Sequence, residues 1–213
     1  MTKAKKGVSL QKISRMEYLT FRNAIRLHLD SICLFGERSY PSTLFLSVLA
    51  QEELGKATLL SDFVFHSEVD GRMDSEWEQK WLDMIYHHRV KQGAFSRNAM
   101  YDLPEWFVST LSNGKLEQLK QASVYVGFQK RGELKSRLSL PFNITKMKTT
   151  TQITIVNDYL RVLALGVSKH VYGWDNPRIE RLLNKKLVHR FSLLWKHETG
   201  SAKRLIRKLH ALG

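Results

Sequence analysis

Two short stretches of the 213-residue sequence carry side chains whose types and spacing could do chemistry. The first is SVLAQEELGKATLL, residues 47–60. On a helix, Glu52 stands four residues before Lys56 and Glu53 three, so either carboxylate is within reach of the ammonium. Glu53 and Lys56 could orient or neutralise a reacting group; equally, they read as a surface ion pair worth about 0.5 kcal/mol or less. Gly55 sits inside the same helical run, where glycine costs up to about 1 kcal/mol relative to alanine. Its presence points to close helix packing or to access to the backbone.

The second stretch is YHHRVKQGAF, residues 86–95. His87, His88, Arg89 and Lys91 form a cationic cluster, and helical spacing puts His88, Lys91 and Gln92 on one face. Cationic neighbours disfavour the imidazolium, which would leave a neutral His88 available as a base near neutral pH. The same cluster, Arg89 included, could instead contact phosphate. No metal site is expected, since zinc would need further neutral histidines or carboxylates converging in these positive surroundings. Three Arg-to-His spacings complete the set: Arg22 to His28, Arg190 to His197, and Arg204 to His210. Arg190 and His197 are nearly two turns apart and point the same way if one helix carries both; the other two pairs diverge by about 120°. Among 34 Lys+Arg and eight His such spacings also arise by chance. There is no glycine-rich phosphate loop followed by Lys-Ser/Thr, no GxSxG and no HExxH.

These residues need helices to position them, and the sequence supplies helical periods. Met16, Leu19, Ile25, Leu27, Ile32 and Leu34 predict a helix over 14–35, with Gly36 as its stop. Ser39-Tyr40-Pro41 offers a start for a long second helix over 41–69. A third is expected over 75–98, with shorter ones at 104–112 and 115–130. Residues 131–150 lack a clean period and read as an ordered loop with, at most, a short extended piece. Helical patterns return at 151–171, 177–197 and 201–211, with Asp175-Asn176-Pro177 as a helix start. The expected architecture is all-α, one domain over 1–213. A helical core spans 14–130, a loop 131–150 and C-terminal helices 151–213.

Composition narrows the setting. The single cysteine, Cys33, excludes an intrachain disulfide and a Cys-based zinc site, fits a reducing cytoplasm, and among Ile32, Leu34 and Phe35 reads as a buried structural thiol. No secretory leader follows the basic N-terminus, and the longest apolar run, Leu44–Ala50, is far short of the roughly 20 residues that span a bilayer. A cytoplasmic protein with no membrane association is expected. The net charge is +14, and from Arg178 onward ten Lys+Arg face two Asp+Glu. That bias favours a polyanionic partner, RNA or DNA before membrane, over a basic face that merely aids solubility. Candidate RNA-binding residues are Arg89, Arg181, Lys185, Lys186, Arg204, Arg207 and Lys208.

Residues 23–60 join Asn23, Ala24, Leu27 and Asp30 to Ser39-Tyr40 and then to Ala50-x-Glu52-Glu53-x-Gly55-Lys56; His88-x-x-Lys91 follows on a later helix. This combination, spread over residues 16–98, resembles the AbiV family of bacterial abortive-infection proteins, grouped with the HEPN superfamily. The resemblance implies a bundle of about four or five helices that often dimerises. It also implies, in many relatives, a metal-independent endoribonuclease whose Arg and following His recur on both sides of a dimer interface. There His would act as general base on a ribose 2′-hydroxyl, and Arg would stabilise charge on the phosphorane. This chain departs from that pattern: residues 81–87 contain no Arg, and Lys80 is the nearest basic residue upstream of His88. The expected function is that of an anti-phage abortive-infection protein, a metal-independent endoribonuclease of HEPN type that shuts down translation. Its candidate catalytic residues are His88, Lys91, Glu53 and Lys56, with Arg190 and His197 as a second set. No cofactor and no metal are expected; a homodimer and a phage-encoded activator are. The alternatives are a non-catalytic RNA- or ribosome-binding inhibitor of translation, and a structural protein whose motif residues only pack helices and pair charges.

Overall fold

The computed structural model describes residues 8–69, 75–131, 134–174 and 176–212. Two long helices form its frame. Helix α1 (Leu10–Gly36) starts on Ser9, whose side chain accepts the Lys12 amide, and α2 (Tyr40–Val69) begins a tight turn later. The two pack along their lengths, and both match the apolar periods of the sequence to within a few residues.

The later elements are shorter than their periodicity predicts. The helix expected over 75–98 is two helices, α3 (Ser75–Met84) and α4 (His88–Arg97), broken at Ile85–His87. Ile85, Tyr86 and His87 are poor helix formers, and the break lets Ile85 bury at 1% exposure among Leu60, Phe63 and Val64 while α4 takes a new direction. Helix α5 (Glu105–Ser112) follows Pro104. Helix α6 (Lys115–Ala122) stops early, and the chain enters an antiparallel hairpin, β1 (Gly127–Arg131) with β2 (Leu134–Ser139). The hairpin replaces the end of the helix expected over 115–130 and takes up the first part of the loop expected over 131–150. Its register pairs Phe128 with Leu138 and shifts between Gln129 and Lys130.

Helix α7 (Lys146–Ser168) is the centre of the molecule. It begins on Thr145, within the stretch expected to be loop, and every residue from Gln152 to Val167 is buried. A helix buried on every side must be surrounded, and α1, α2, α9 and α10 all pack against it. The helix expected over 177–197 is divided into α8 (Pro177–Leu182) and α9 (Lys185–Leu194), because Asn184 caps a new helix by accepting the Leu187 amide. Helix α10 (Gly200–Ala211) starts on Thr199. Ile179, Leu187, Phe191, Ile206 and Leu209 join the same hydrophobic cluster as α1, α2 and α7, so the basic C-terminal helices are built into the core through their apolar faces. Cys33, expected to be buried, is exposed: it lies on the outer face of α1 while Ser31 and His28 turn inward.

Polar side chains pin α7 in place. Thr199 donates its amide and hydroxyl to Asp158 at 2.7 and 2.8 Å, Arg161 pairs with Glu198, and Gln152 donates to Gln51 at 2.7 Å. Burial raises the Asp158 carboxyl to about 6 even though Thr199 and Arg161 oppose the rise. His28 of α1 meets Asn157 Oδ1 through Nε2 at 3.1 Å and is fully enclosed, with the Phe191 ring edge-on to it.

Burial depresses the His28 imidazole to about 4, and the Asn157 bond only partly offsets this. The folded-state value lies below the unfolded one, so the stabilisation exists above the ordinary histidine range and is lost as pH falls from about 6.5 to 4. Comparison with His28→Gln removes the opposing contribution of Asp158, which both proteins share. The stability advantage of the natural protein over this variant should shrink by about 3 kcal/mol between pH 7.5 and 4 in urea titrations. Parallel pH profiles would show that His28 is not held neutral.

Candidate functional site

The residues that could do chemistry converge on one buried carboxylate. Glu52 faces inward from α2, 1% exposed, and four side chains approach it from two other helices. From α4, His88 Nδ1 lies 2.6 Å from Glu52 Oε2, Gln92 Nε2 donates to Oε1 at 2.9 Å, and Lys91 Nζ stands 3.7 Å from Oε2. From α6, Lys120 Nζ donates to Oε1 at 2.8 Å. Lys120 also pairs with Glu117 Oε2 at 2.7 Å, one turn earlier on its own helix. Burial works to raise the Glu117 carboxyl, but the Gln121 hydrogen bond, the Lys120 ammonium and His88 outweigh it and hold the group below its ordinary value.

Local sequence explains the convergence. The spacing 88, 91, 92 sets three donors on one face of α4. Gly55 brings that face close: a Cβ at this position would lie 1.9 Å from the Lys91 carbonyl oxygen and 3.1 Å from the Phe95 nitrogen. Only glycine lets α2 and α4 meet backbone to backbone here. On α6, Leu116 and Lys120 share the inward stripe, 2% and 3% exposed, so the chain places a lysine where the period calls for an apolar residue.

The histidine is held asymmetrically. An ionised carboxylate only accepts hydrogen bonds, so the 2.6 Å contact places the proton on His88 Nδ1. Lys120 Nζ lies 3.1 Å from the same nitrogen, and two of its three protons go to the Glu52 and Glu117 carboxylates. The side chain of His88 is 51% exposed, and no hydrogen bond reaches Nε2 among the described residues. A buried carboxylate behind Nδ1 and an open Nε2 in front make a general acid–base group of fixed tautomer. The sequence-based picture of a histidine among cations alone is corrected: the nearest charge is a carboxylate.

Glu52, His88 and Glu117 also place one potential metal-ligating atom each within 4.8 Å of one another. The Lys120 ammonium lies between the two carboxylates at hydrogen-bonding distance from both, so the protein supplies the compensating cation itself.

Of the sequence candidates, His88 and Lys91 belong to this cluster; Glu53 and Lys56 do not. One residue along a helix turns by about 100°, and Glu53 faces α1, where Asn23 Nδ2 donates to it at 3.2 Å. Asn23 in turn accepts from Arg26, which pairs with Asp30 at 2.8 Å. The Asn23 and Asp30 positions noted in the sequence thus serve a second polar chain on the α1–α2 surface. Lys56 lies over the Tyr86 ring, 5.4 Å from its centroid. Arg190 and His197 fail as a pair because α9 ends at Leu194 and His197 leaves the helix to pack beside Trp195. Arg22, over the Tyr18 ring, is exposed while His28 is buried in the core, and Arg204 and His210 are both exposed on α10. Arg89 donates to the Ser112 carbonyl at 3.1 Å, holding the end of α5. Arg181, Lys185, Lys186, Arg204, Arg207 and Lys208 are exposed on α8, α9 and α10. Sequence reasoning missed Lys120 and Glu117; the lysine on the apolar stripe of α6 is the signal that could have found them.

A mainly helical bundle built on two long packed helices, with a histidine of α4 held against the second of them, fits the helical bundle that the family resemblance implies. The AbiV model among the HEPN families matches residues 12–161, from the first turns of α1 to Arg161 of α7, and the chain belongs to this family of abortive-infection proteins. The match takes in α6, and with it Glu117 and Lys120, and ends before α8–α10. No curated protein and no solved structure gives a significant match.

Removing one member of a buried ion pair strands the other, at a cost of about 3–5 kcal/mol. Lys120→Met should therefore lower the unfolding free energy by about that amount, while Lys56→Gln, at a partly exposed cation–π contact, should cost about 1 kcal/mol or less. Chemical denaturation of the two variants tests this; equal effects would remove Glu52 and Lys120 from the centre of the account.

Proposed function

We propose that the protein is a metal-independent endoribonuclease of phage defence whose base is His88 Nε2. The supporting observation is the Glu52–His88 contact: a carboxylate behind Nδ1 leaves Nε2 as the acceptor of a half-exposed side chain. In the proposed reaction Nε2 takes the proton of a ribose 2′-hydroxyl, the resulting oxygen attacks the adjacent phosphorus, and the 5′-oxygen leaves, giving a 2′,3′-cyclic phosphate. His88 becomes an imidazolium facing Glu52, a charge the carboxylate stabilises. Lys91, on the same helix face and 3.7 Å from Glu52 Oε2, is the cation assigned to answer charge on the phosphorane in the absence of an upstream arginine.

Translation shutdown through RNA or ribosomes, a phage-encoded activator and a homodimer belong to the same proposal and draw on membership of the AbiV family. A non-catalytic RNA- or ribosome-binding inhibitor is the second reading, favoured by the one departure from the family's Arg-to-His pattern: no arginine precedes His88 within the preceding turns. Among the described residues no helix is long and apolar enough to cross a membrane.

Incubation of the purified protein with total bacterial RNA and with ribosomes, in EDTA, separates the two. The natural protein should give discrete cuts ending in cyclic phosphate, His88→Ala should lose at least about a hundredfold in rate while remaining folded, and His197→Ala should cut as before. RNA bound without cleavage, or cleavage that survives His88→Ala, would overturn the catalytic assignment.

A further inference from the structure

A cleft on the far part of α1, lined by cations and used by nothing described above, runs beside α8. One wall carries Lys12 and Arg15 of α1, the other Arg178 and Arg181 of α8, and the space between measures about 870 Å³. All four side chains are exposed, and no carboxylate lines the cleft among the described residues. None of the four forms an ion pair with a described residue. Tyr18 borders the cleft one turn further along α1, and Arg22 lies over its ring, 5.6 Å from the centroid.

The cleft is a rigid feature. Asn176, 5% exposed, caps α8 through its Oδ1 and donates Nδ2 to Ser14 O at 3.0 Å and to Glu17 Oε2 at 2.9 Å. The Trp174 indole donates to the other Glu17 oxygen at 2.7 Å. The buried Glu17 carboxylate thereby fixes the cationic wall of α8 against that of α1.

Like charges three residues apart on a helix repel, and here two such pairs face each other with no carboxylate between them among the described residues. The field in such a cleft favours an anionic ligand. Lys12, Arg15 and Arg22 follow one stripe about 15 Å long at 1.5 Å per residue, long enough to meet more than one phosphate of an extended strand. An aromatic ring bordering a cationic groove is the arrangement that holds single strands, the cations tracking the backbone and a base stacking on the ring. A membrane surface is flat and would meet neither wall of a concave cleft. From these observations we infer that the α1–α8 cleft binds the phosphate backbone of single-stranded RNA. The identity of the strand as RNA rests on the proposed function; the anionic, extended nature of the ligand rests on the cleft.

The test is fluorescence anisotropy with a labelled RNA of about 12 nucleotides, using His88→Ala protein so that cleavage cannot interfere. Replacing Lys12, Arg15, Arg178 and Arg181 together by Gln should weaken binding by at least about tenfold at moderate salt and reduce the slope of log K against log salt by about 3. Arg15→Gln with Arg181→Gln, one change per wall, should reduce the slope by about 1.4, and serves if the fourfold variant does not fold. Lys146→Gln, Lys148→Gln and Lys203→Gln, exposed and outside the cleft, should leave affinity within about threefold. Equal losses in these control and cleft variants would show that affinity follows net charge alone and overturn the cleft. Unchanged RNA binding with loss of binding to phosphatidylserine vesicles would overturn it in favour of a lipid surface. Natural protein that binds RNA through the cleft but never cuts it would overturn the nuclease reading and leave the cleft standing.

Discussion

A carboxylate buried at 1% exposure must find enough donors to replace water, and the arrangement of half the molecule follows from how Glu52 does so. Its partners come from α4 and α6, helices separated in sequence by α5. The α3–α4 break turns His88, Lys91 and Gln92 toward it, Gly55 lets α4 approach closely enough for short bonds, and Lys120 enters from α6 to complete the charge balance. With two carboxylates and two ammonium groups in contact, the cluster is neutral while His88 is neutral. A proton on Nε2 then adds a single positive charge beside a carboxylate already in place. An arrangement that is held before the proton moves needs little reorganisation when it does.

How much of this the sequence discloses depends on the kind of signal. The frame of α1 and α2 is legible because long apolar periods are reinforced by Gly36 and the Ser39–Pro41 turn, whereas the Ser9 cap, which starts α1 four residues before the expected 14, is not legible. The breaks at 85–87 and 183–184 are not, since no proline or glycine marks them. Burial of Ile85 decides the first and the Asn184 cap the second. The 127–139 hairpin hides behind a helix-like approach and a stretch without clean alternation. At the site, His88, Lys91 and Gln92 are legible from three-four spacing, whereas the choice between Glu52 and Glu53 is not. Adjacent residues of one motif differ only in the direction they face, and that direction is set by where α1 and α4 lie. Lys120, more than twenty residues beyond α4, becomes a partner only once α6 folds back.

The C-terminal helices show a similar division. Their positive charge is plain from composition, but Ile179, Phe191 and Ile206 bind them into the core around α7, so their cations form the exposed faces of core elements and not a detached tail. The pairing of Arg190 with His197 dissolves for the same reason: α9 ends where Trp195 must bury, at 5% exposure, to donate to Thr154 of α7.

The central claim is that Glu52 fixes the proton of His88 on Nδ1 and leaves Nε2 as the base. The most direct measurement is the tautomer itself, from long-range proton–nitrogen correlation spectra of protein labelled with nitrogen-15 histidine, with the His88 signals assigned by their loss in His88→Ala. At a pH where the ring is neutral, the account predicts a protonated Nδ1 and an unprotonated Nε2 in the natural protein, and averaged nitrogen signals in Glu52→Ala. A His88 that carries its proton on Nε2, or one whose spectrum is the same with and without the Glu52 carboxylate, would contradict it.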